Sequence, residues 1–398
     1  MALPVKRLTL DFSLSMAAPI RILTAVPICD GHDSAINTIN LEFIRDGIEV
    51  IYLGYHRSVG DIVRAAIQED VRAIGISSYN GGHIEFFADV VKQLKKEGAD
   101  DIKVFGGGGG TITHADAVAM ERKGVEKIFF AGTSLDEMAE YVQKNYGKPR
   151  KKRSRGKTRD IELARRLTEI EDAKGKKRGN SKARSTSTAR VIGFTGPGGA
   201  GKTTLIDELV LRFLTQEPKA RIAILSHDPS VVGNGALLGD RATMINSQHD
   251  RVFMRSMATR GQAGGLSPAT EGCLRELINS GFDYVIIETV GTGQEAMPFQ
   301  KNGIVDQTVL VMNPDYGARL QLQKIVMLDL ADIVVVNKTD QARARAAILE
   351  IERRLDQNQR AQQLVASVAK RHRDPGVDEL FGLISGNGAM PTKRRQKK

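Results

Sequence analysis

Cysteine is scarce in this chain: two residues among 398, Cys29 and Cys273, far apart and without metal-ligand spacing. A disulfide framework or a structural zinc site is therefore not expected. Long apolar runs are missing too. No window approaches the roughly 18 uninterrupted apolar residues of a membrane span, and the N-terminus lacks the basic, apolar and small-residue succession of a signal peptide. The expectation is a soluble, cytoplasmic protein with no membrane partner. Evenly spread positive charge is the third absence. The formal net charge is +11, yet positions 148–190 hold seventeen Lys/Arg against five Asp/Glu, which leaves the rest of the chain at −1. A nucleic-acid partner is accordingly not expected for the folded parts.

What is present suffices for two domains, since 41% of the residues are hydrophobic. The division expected is a first domain at 1–147, a basic linker at 148–190, a second domain at 191–385 and a basic tail at 386–398. Inside the linker, IELARRLTEIE spaces Ile161, Leu163, Leu167 and Ile170 for a short helix that could dock on a neighbour. A solvated tether, a contact with an acidic partner and a contact with RNA remain open for the stretch as a whole.

From Ile20 to Tyr146, five β-rich runs (IRILTAVPI, EVIYLG, AIGISS, IKVFGG and KIFFAG) alternate with amphipathic segments. Five such units predict an α/β fold with a doubly wound parallel sheet and ligands at the carboxyl ends of its strands. Three of those ends are unusual. The first carries CDGHDSAI, the third SSYNGGH, and the fourth five glycines, Gly106 to Gly110, followed by Thr111. Glycine runs let a backbone approach a ligand closely, and a carboxylate two residues from a histidine can take the second ring N–H and so orient an imidazole metal ligand.

Asp30-x-His32 with a Ser-rich third loop and a Gly-Gly fourth loop resembles the cobalamin-binding domains that hold the cofactor base-off. Position 35 is alanine where the generic motif has glycine, a form similar to that of fused isobutyryl-CoA mutases. This resemblance implies a flavodoxin-like domain in which His32 binds cobalt, Asp30 supports it, and Ser77, Gly106 and Gly107 line the channel for the displaced dimethylbenzimidazole tail.

After the linker, RVIGFTGPGGAGKTTLIDELVLRF gives a strand, a glycine-rich loop and a helix, and residues 196–203 fit GxxxxGK[ST]. In this context the amides of Gly196, Gly198, Gly199, Ala200 and Gly201 cradle phosphate, Lys202 neutralises charge between the β- and γ-phosphates, Thr203 reaches Mg²⁺, and Thr204 completes the turn. Asn337-Lys338-Thr339-Asp340 follows another apolar strand, and an aspartate there accepts both donors of the guanine edge, which favours GTP over ATP. Ser367 lies in the expected last guanine-contacting loop. Asp228 and Glu288, each at a strand end, are placed for Mg²⁺, and Gly291 for a backbone approach to the γ-phosphate, giving Lys202, Asp228, Glu288 and Gly291 as the hydrolytic set.

The succession GKTT, DPS, GALLGDR, MATRG, ETVGTGQ, NKTD resembles the metallochaperone GTPases that service acyl-CoA mutases, over about Arg190 to Ile384. After Gln294, EAMPFQKNGIVDQ departs from that family's acidic continuation. The resemblance implies a SIMIBI-type P-loop GTPase fused to a cobalamin subunit. GTP hydrolysis would be coupled to loading and protection of an adenosylcobalamin-dependent acyl-CoA mutase. It implies adenosylcobalamin, GTP and Mg²⁺ as cofactors. The implied partners are a separate mutase barrel subunit, an adenosyltransferase and further copies of this chain. No barrel of roughly 250 residues is present; a natural subunit is the expectation, and a piece of a longer fused mutase the alternative. A cobalamin-responsive regulatory GTPase and a corrinoid methyl carrier are the competing readings.

Overall fold

The computed structural model describes residues 19–28, 30–31, 34–148, 150, 156–173, 188–230, 235–291, 299, 305–316, 326–358 and 360–386. Its first part runs β1 (Arg21–Ala25), α1 (Ser34–Arg45), β2 (Glu49–Tyr52), α2 (Val59–Gln68), β3 (Ala73–Ser77), α3 (His83–Glu97), β4 (Lys103–Gly107), α4 (His114–Arg122), β5 (Lys127–Phe129) and α5 (Leu135–Tyr146). Strands such as β1 are buried along their whole length, which is why they read as apolar runs rather than alternating ones. Ser58 with Asp61 and Thr113 with Asp116 form reciprocal caps that start α2 and α4. The five strands are parallel in the order β2-β1-β3-β4-β5. This is the flavodoxin-like order, whose crevice opens at the carboxyl ends of β1 and β3.

After α6 (Arg159–Asp172) the second part begins with β6 (Arg190–Thr195), α7 (Lys202–Gln216), β7 (Ile222–Asp228), β8 (Ala236–Leu238) and α8 (Asp240–Thr243). It continues with β9 (Val252–Ala258), α9 (Thr270–Ile278), β10 (Tyr284–Glu288), β11 (Gln307–Met312), β12 (Ile333–Val336) and β13 (Gln363–Ala366). Its parallel sheet has the order β13-β12-β11-β6-β10-β7-β9, so the glycine-rich loop leaves a central strand. Among the described residues no helix is long and apolar enough to cross a membrane.

The two parts interlock. Strand β8 does not join the second sheet; it pairs in parallel with β2, Val50 facing Leu237, and becomes the sixth strand of the first sheet. Gly235 makes this approach possible, because a Cβ there would lie 1.9 Å from the Ile48 carbonyl oxygen. A boundary drawn between 147 and 191 therefore assigns β8 to one unit by sequence and to the other by hydrogen bonding.

Within the span read as linker, the described segment 156–173 is a docked helix rather than a solvated tether. Thr158 caps α6, Ile161 enters the first core, and Leu163, Ala164 and Leu167 enter the second, where they meet the buried Cys273. Burial pushes the Cys273 thiol up, so it is inert packing.

Between the parts lies a buried charge cluster. Arg21 reaches Glu69 (2.8 Å), Glu49 (3.2 Å) and Glu171 at the end of α6 (3.3 Å). From the second part, Arg241 reaches Glu69 (2.9 Å), Arg255 reaches Glu171 (2.6 Å) and Arg260 reaches Glu49 (3.0 Å). Arg241 and Arg255 are fully buried. Desolvation of such charges offsets much of their attraction, so the cluster specifies how the halves fit more than it adds stability. Burial alone would raise the Glu171 carboxyl, but Arg255, Arg21 and Arg260 outweigh it and hold it below the usual carboxylate range.

Candidate functional site

Two sites sit at strand ends. In the first part, the loop after β1 and the loop after β3 flank the crevice. Asp30 is buried, and its carboxylate accepts the Tyr79 amide, bridging the two loops across the place where crossovers change direction. Beside it the hydroxyl of Ser78 is buried without a hydrogen-bond partner, while Ser77 is half-buried at the end of β3 opposite Gly107. His32 lies outside the described residues.

Gly106 and Gly107 reach the same edge, but protein fills the space beside them. A Cβ at 106 would meet the Ile76 carbonyl oxygen at 2.2 Å and the Phe87 ring at 2.7 Å, and one at 107 the Phe129 carbonyl oxygen at 2.7 Å. These two glycines let β3, β4, β5 and α3 close on one another. Open space instead adjoins Gly81, Gly82, Gly110 and Gly132, in the loops after β3, β4 and β5. An unpartnered hydroxyl, a buried carboxylate and glycines facing open space along one edge suit a large ligand laid across it.

In the second part, the glycine-rich loop is held from several directions. Gly196 and Gly201 have left-handed backbones; a Cβ at 196 would strike the Val311 carbonyl oxygen at 2.0 Å, and one at 201 the Asn337 amide at 2.5 Å. Asn337 donates to the Ala200 carbonyl (2.9 Å), and Lys338 to that of Gly199 (2.6 Å). Ser367 donates to Asn337 (3.2 Å), as does the Ala369 amide (3.0 Å), so Ser367 acts through Asn337. A cleft of about 270 Å³ opens here, lined by Gly201, Thr204, Asn337, Lys338, Asp340 and Ala369. The Asp340 carboxylate pairs with Lys370 at 2.6 Å, which holds it below its ordinary pKa and ready to accept donors.

At the phosphate end, Lys202 donates to the Gly196 carbonyl (3.0 Å), and the Gly198 amide donates to the Gly291 carbonyl (2.7 Å). Thr203 donates to Glu288 (2.8 Å) and lies 3.4 Å from Asp240, which also accepts the Ser226 hydroxyl. His227 spans from the Glu288 carbonyl (2.8 Å) to the Thr270 hydroxyl (2.7 Å), and burial lowers it to about 4, so it is neutral packing behind the strand. Burial, then the neighbouring Asp240, pushes Glu288 up to about 8. Burial, then repulsion from Asp240 and Glu288, raises Asp228, and burial raises Asp240. One oxygen of Asp228 and one of Glu288 are buried with no hydrogen-bond partner. Mutually repelling carboxylates with unpartnered oxygens fit a cation.

The spacing of motifs brought Lys202, Thr203, Asp228, Glu288 and Gly291 together, as it did Asn337, Lys338, Asp340 and Ser367. It missed Asp240, although GALLGDR stands out in the sequence, and it missed Ser78, one residue beyond Ser77.

Comparison with known proteins follows the same division. The family described as methylmalonyl Co-A mutase-associated GTPase MeaB matches residues 163–395, and the B12 binding domain matches residues 20–139. The chain is similar to the fused isobutyryl-CoA mutase of Cupriavidus metallidurans, 37% identical over 397 residues, covering 94% of this chain and 36% of that protein. It is 36% identical over 393 residues to the fused isobutyryl-CoA mutase of Geobacillus kaustophilus, covering 91% of this chain and 36% of the relative. The fused isobutyryl-CoA mutase of Nocardia farcinica is 35% identical over 416 residues, covering 94% and 38%. The chain thus spans little more than a third of the length of these curated relatives.

Proposed function

Because the chain belongs to the family of methylmalonyl-CoA mutase-associated GTPases and carries a B12-binding domain ahead of its GTPase part, we propose that it loads and guards the cofactor of an acyl-CoA mutase. It does so by coupling GTP hydrolysis to adenosylcobalamin held on its own first domain. Two buried carboxylate oxygens without partners beside the P-loop threonine, in a part interlocked with the B12-binding domain, carry this reading.

In the hydrolytic half, the loop amides would cradle the phosphates at the start of α7, Lys202, now on the Gly196 carbonyl, would turn to the β/γ oxygens, and Thr203, Asp228 and Glu288 would hold Mg²⁺. Gly291 brings its backbone against the γ-phosphate, so departure of that phosphate frees the loop. Asp340 reads guanine. In the other half, His32 would ligate cobalt, and Asp30, which accepts the Tyr79 amide, would hold the loops after β1 and β3 together. When bound, adenosylcobalamin supplies a weak carbon–cobalt bond as a radical source for carbon-skeleton rearrangement. The acyl-CoA mutase barrel would be the partner on which these two domains act, an adenosyltransferase would deliver the cofactor, and the chain would self-associate.

The first test is a titration of the protein with adenosylcobalamin, followed by visible spectra and, for the cob(II)alamin form, EPR. A base-off, histidine-ligated signature lost in His32→Ala, alongside GTP hydrolysis lost in Lys202→Ala, is the expected result. GTP hydrolysis without any cobalamin signature would overturn the cofactor half of the proposal.

A further inference from the structure

The turn after β2 joins the two sites through a short run of contacts. It extends the pairing of β1 with β2: the Val26 amide donates to the Gly54 carbonyl (3.0 Å), the Arg57 amide donates to the Val26 carbonyl (3.1 Å), and Pro27 bridges to Arg57. His56 takes a left-handed backbone, φ 57°, which is uncommon for a non-glycine residue and puts its ring against the loop after β1. Its Nδ1 lies 3.1 Å from the Ile28 carbonyl oxygen, and the ring covers Gly31, where a Cβ would lie 3.7 Å away. One side of this turn is therefore fastened to the loop that carries Asp30.

The other side is fastened to α8. Arg57 donates from Nη2 to the Ala242 carbonyl at 2.7 Å. Gly54, left-handed at φ 91°, leaves room for the guanidinium: a Cβ there would be 3.2 Å from Nη2 and 3.5 Å from the Ala242 Cβ. Two residues before Ala242 is Asp240, which faces Thr203 and Ser226 at the magnesium end of the P-loop. Between them Arg241 is fully buried and holds Glu69 and Gln68 of the first part, each at 2.9 Å. A single helical turn thus presents one residue to the nucleotide site and the next two to the B12-binding domain.

We infer that α8 and Arg57 couple the nucleotide site to the loop after β1, with Arg57 as the positioning residue that sets where Asp30 and its neighbours stand. The inference rests on the reading that this loop meets cobalamin. The two states would differ at Asp240: without nucleotide and metal its carboxylate accepts from Thr203 and Ser226 close to Asp228 and Glu288, and a cation held by Thr203, Asp228 and Glu288 would draw it. One helical turn is too short to absorb such a change internally, so displacement at Asp240 reaches the Ala242 carbonyl, and through Arg57 the Pro27 bridge and His56. Couplings of this kind are typically five- to 150-fold in affinity, and about tenfold is expected here.

The test uses the full chain without cobalamin. Hydrogen exchange of residues 26–31 and 54–58 is measured with Mg²⁺ and GDP, then with Mg²⁺ and a non-hydrolysable GTP analogue, in wild type and Arg57→Ala. Protection that depends on the nucleotide in wild type and not in the variant, at unchanged nucleotide affinity, is expected. Arg57→Met, which keeps the apolar stem and removes the donor to the Ala242 carbonyl, replaces alanine if a thermal melt shows that the alanine protein does not fold. Identical exchange in both wild-type states, or a difference that survives in the variant, overturns the inference. A second measurement separates it from the functional reading. Adenosylcobalamin Kd should differ about tenfold between nucleotide states in wild type and less than twofold in the variant. Cobalamin binding equal in both states would overturn the coupling and leave the reading standing, whereas no cobalamin binding at all would sink both.

Discussion

Gly291 has no room for a side chain. A Cβ would lie 2.5 Å from the Gly198 nitrogen and 2.8 Å from Lys202 Nζ, so even alanine must push the loop from the phosphate end of the site. Gly291→Ala should lower kcat for GTP hydrolysis by about 10², as when a positioned backbone donor is lost, and should also lower the melting temperature, because the neighbour its Cβ strikes is the backbone of Gly198. Single-turnover phosphate release checks it, and a wild-type rate would count against the proposed approach to the γ-phosphate. Glu288 supplies a pH signature. Its folded-state pKa, about 8, lies above the ordinary value, so the stability it contributes as a neutral acid is complete at low pH and declines as pH rises through about 8. Metal needs the charged form. Mg²⁺ should therefore bind more tightly over the same rise, releasing a proton. Melting curves from pH 5 to 9 with and without Mg²⁺ should diverge, and Glu288→Gln should shrink the divergence, the remainder coming from the raised Asp228 and Asp240. These residues were legible because a P-loop fixes its partners at strand ends. Asp240 was not, since its place depends on how the chain folds back after β7, which no spacing states.

At the scale of elements, α6 and β8 matter most. The apolar spacing of Ile161, Leu163 and Leu167 gave away the helix, but Glu171 at its end reads as a solvated charge. Its burial follows from Arg21, Arg255 and Arg260, which are distant in sequence and arrive only with both sheets formed. Removing one member of such a cluster strands the others. Glu171→Leu should cost about 3–5 kcal/mol, measured by urea unfolding; a loss below about 1 kcal/mol would mean that water reaches the arginines. The pH dependence has the opposite sign to that of Glu288. A depressed carboxyl stabilises above its unfolded pKa and loses that contribution as the pH falls through its folded value. Strand β8 left no legible trace, because three residues of Ala-Leu-Leu are too few for a period to declare itself.

Across the whole molecule, the first sheet and the direction of its strands could be read from apolar runs alternating with amphipathic segments, and the second part from its P-loop and NKTD motifs, while their mutual dependence could not. Sharing β8, α6 and the charge cluster, the halves should unfold together. Circular dichroism and intrinsic tyrosine fluorescence should follow one coincident transition in denaturant, and two separated transitions would show that the shared elements do not bind the halves cooperatively. The late arrival of β8 also bears on synthesis. At ordinary rates of translation, residue 241 follows residue 147 from the ribosome by roughly 5 to 20 s. During that interval the nascent first sheet exposes the edge of β2, and Glu49 and Glu69 await Arg241, Arg255 and Arg260. A bare strand edge invites pairing with neighbouring chains, so this protein is most prone to misassembly while it is still being made.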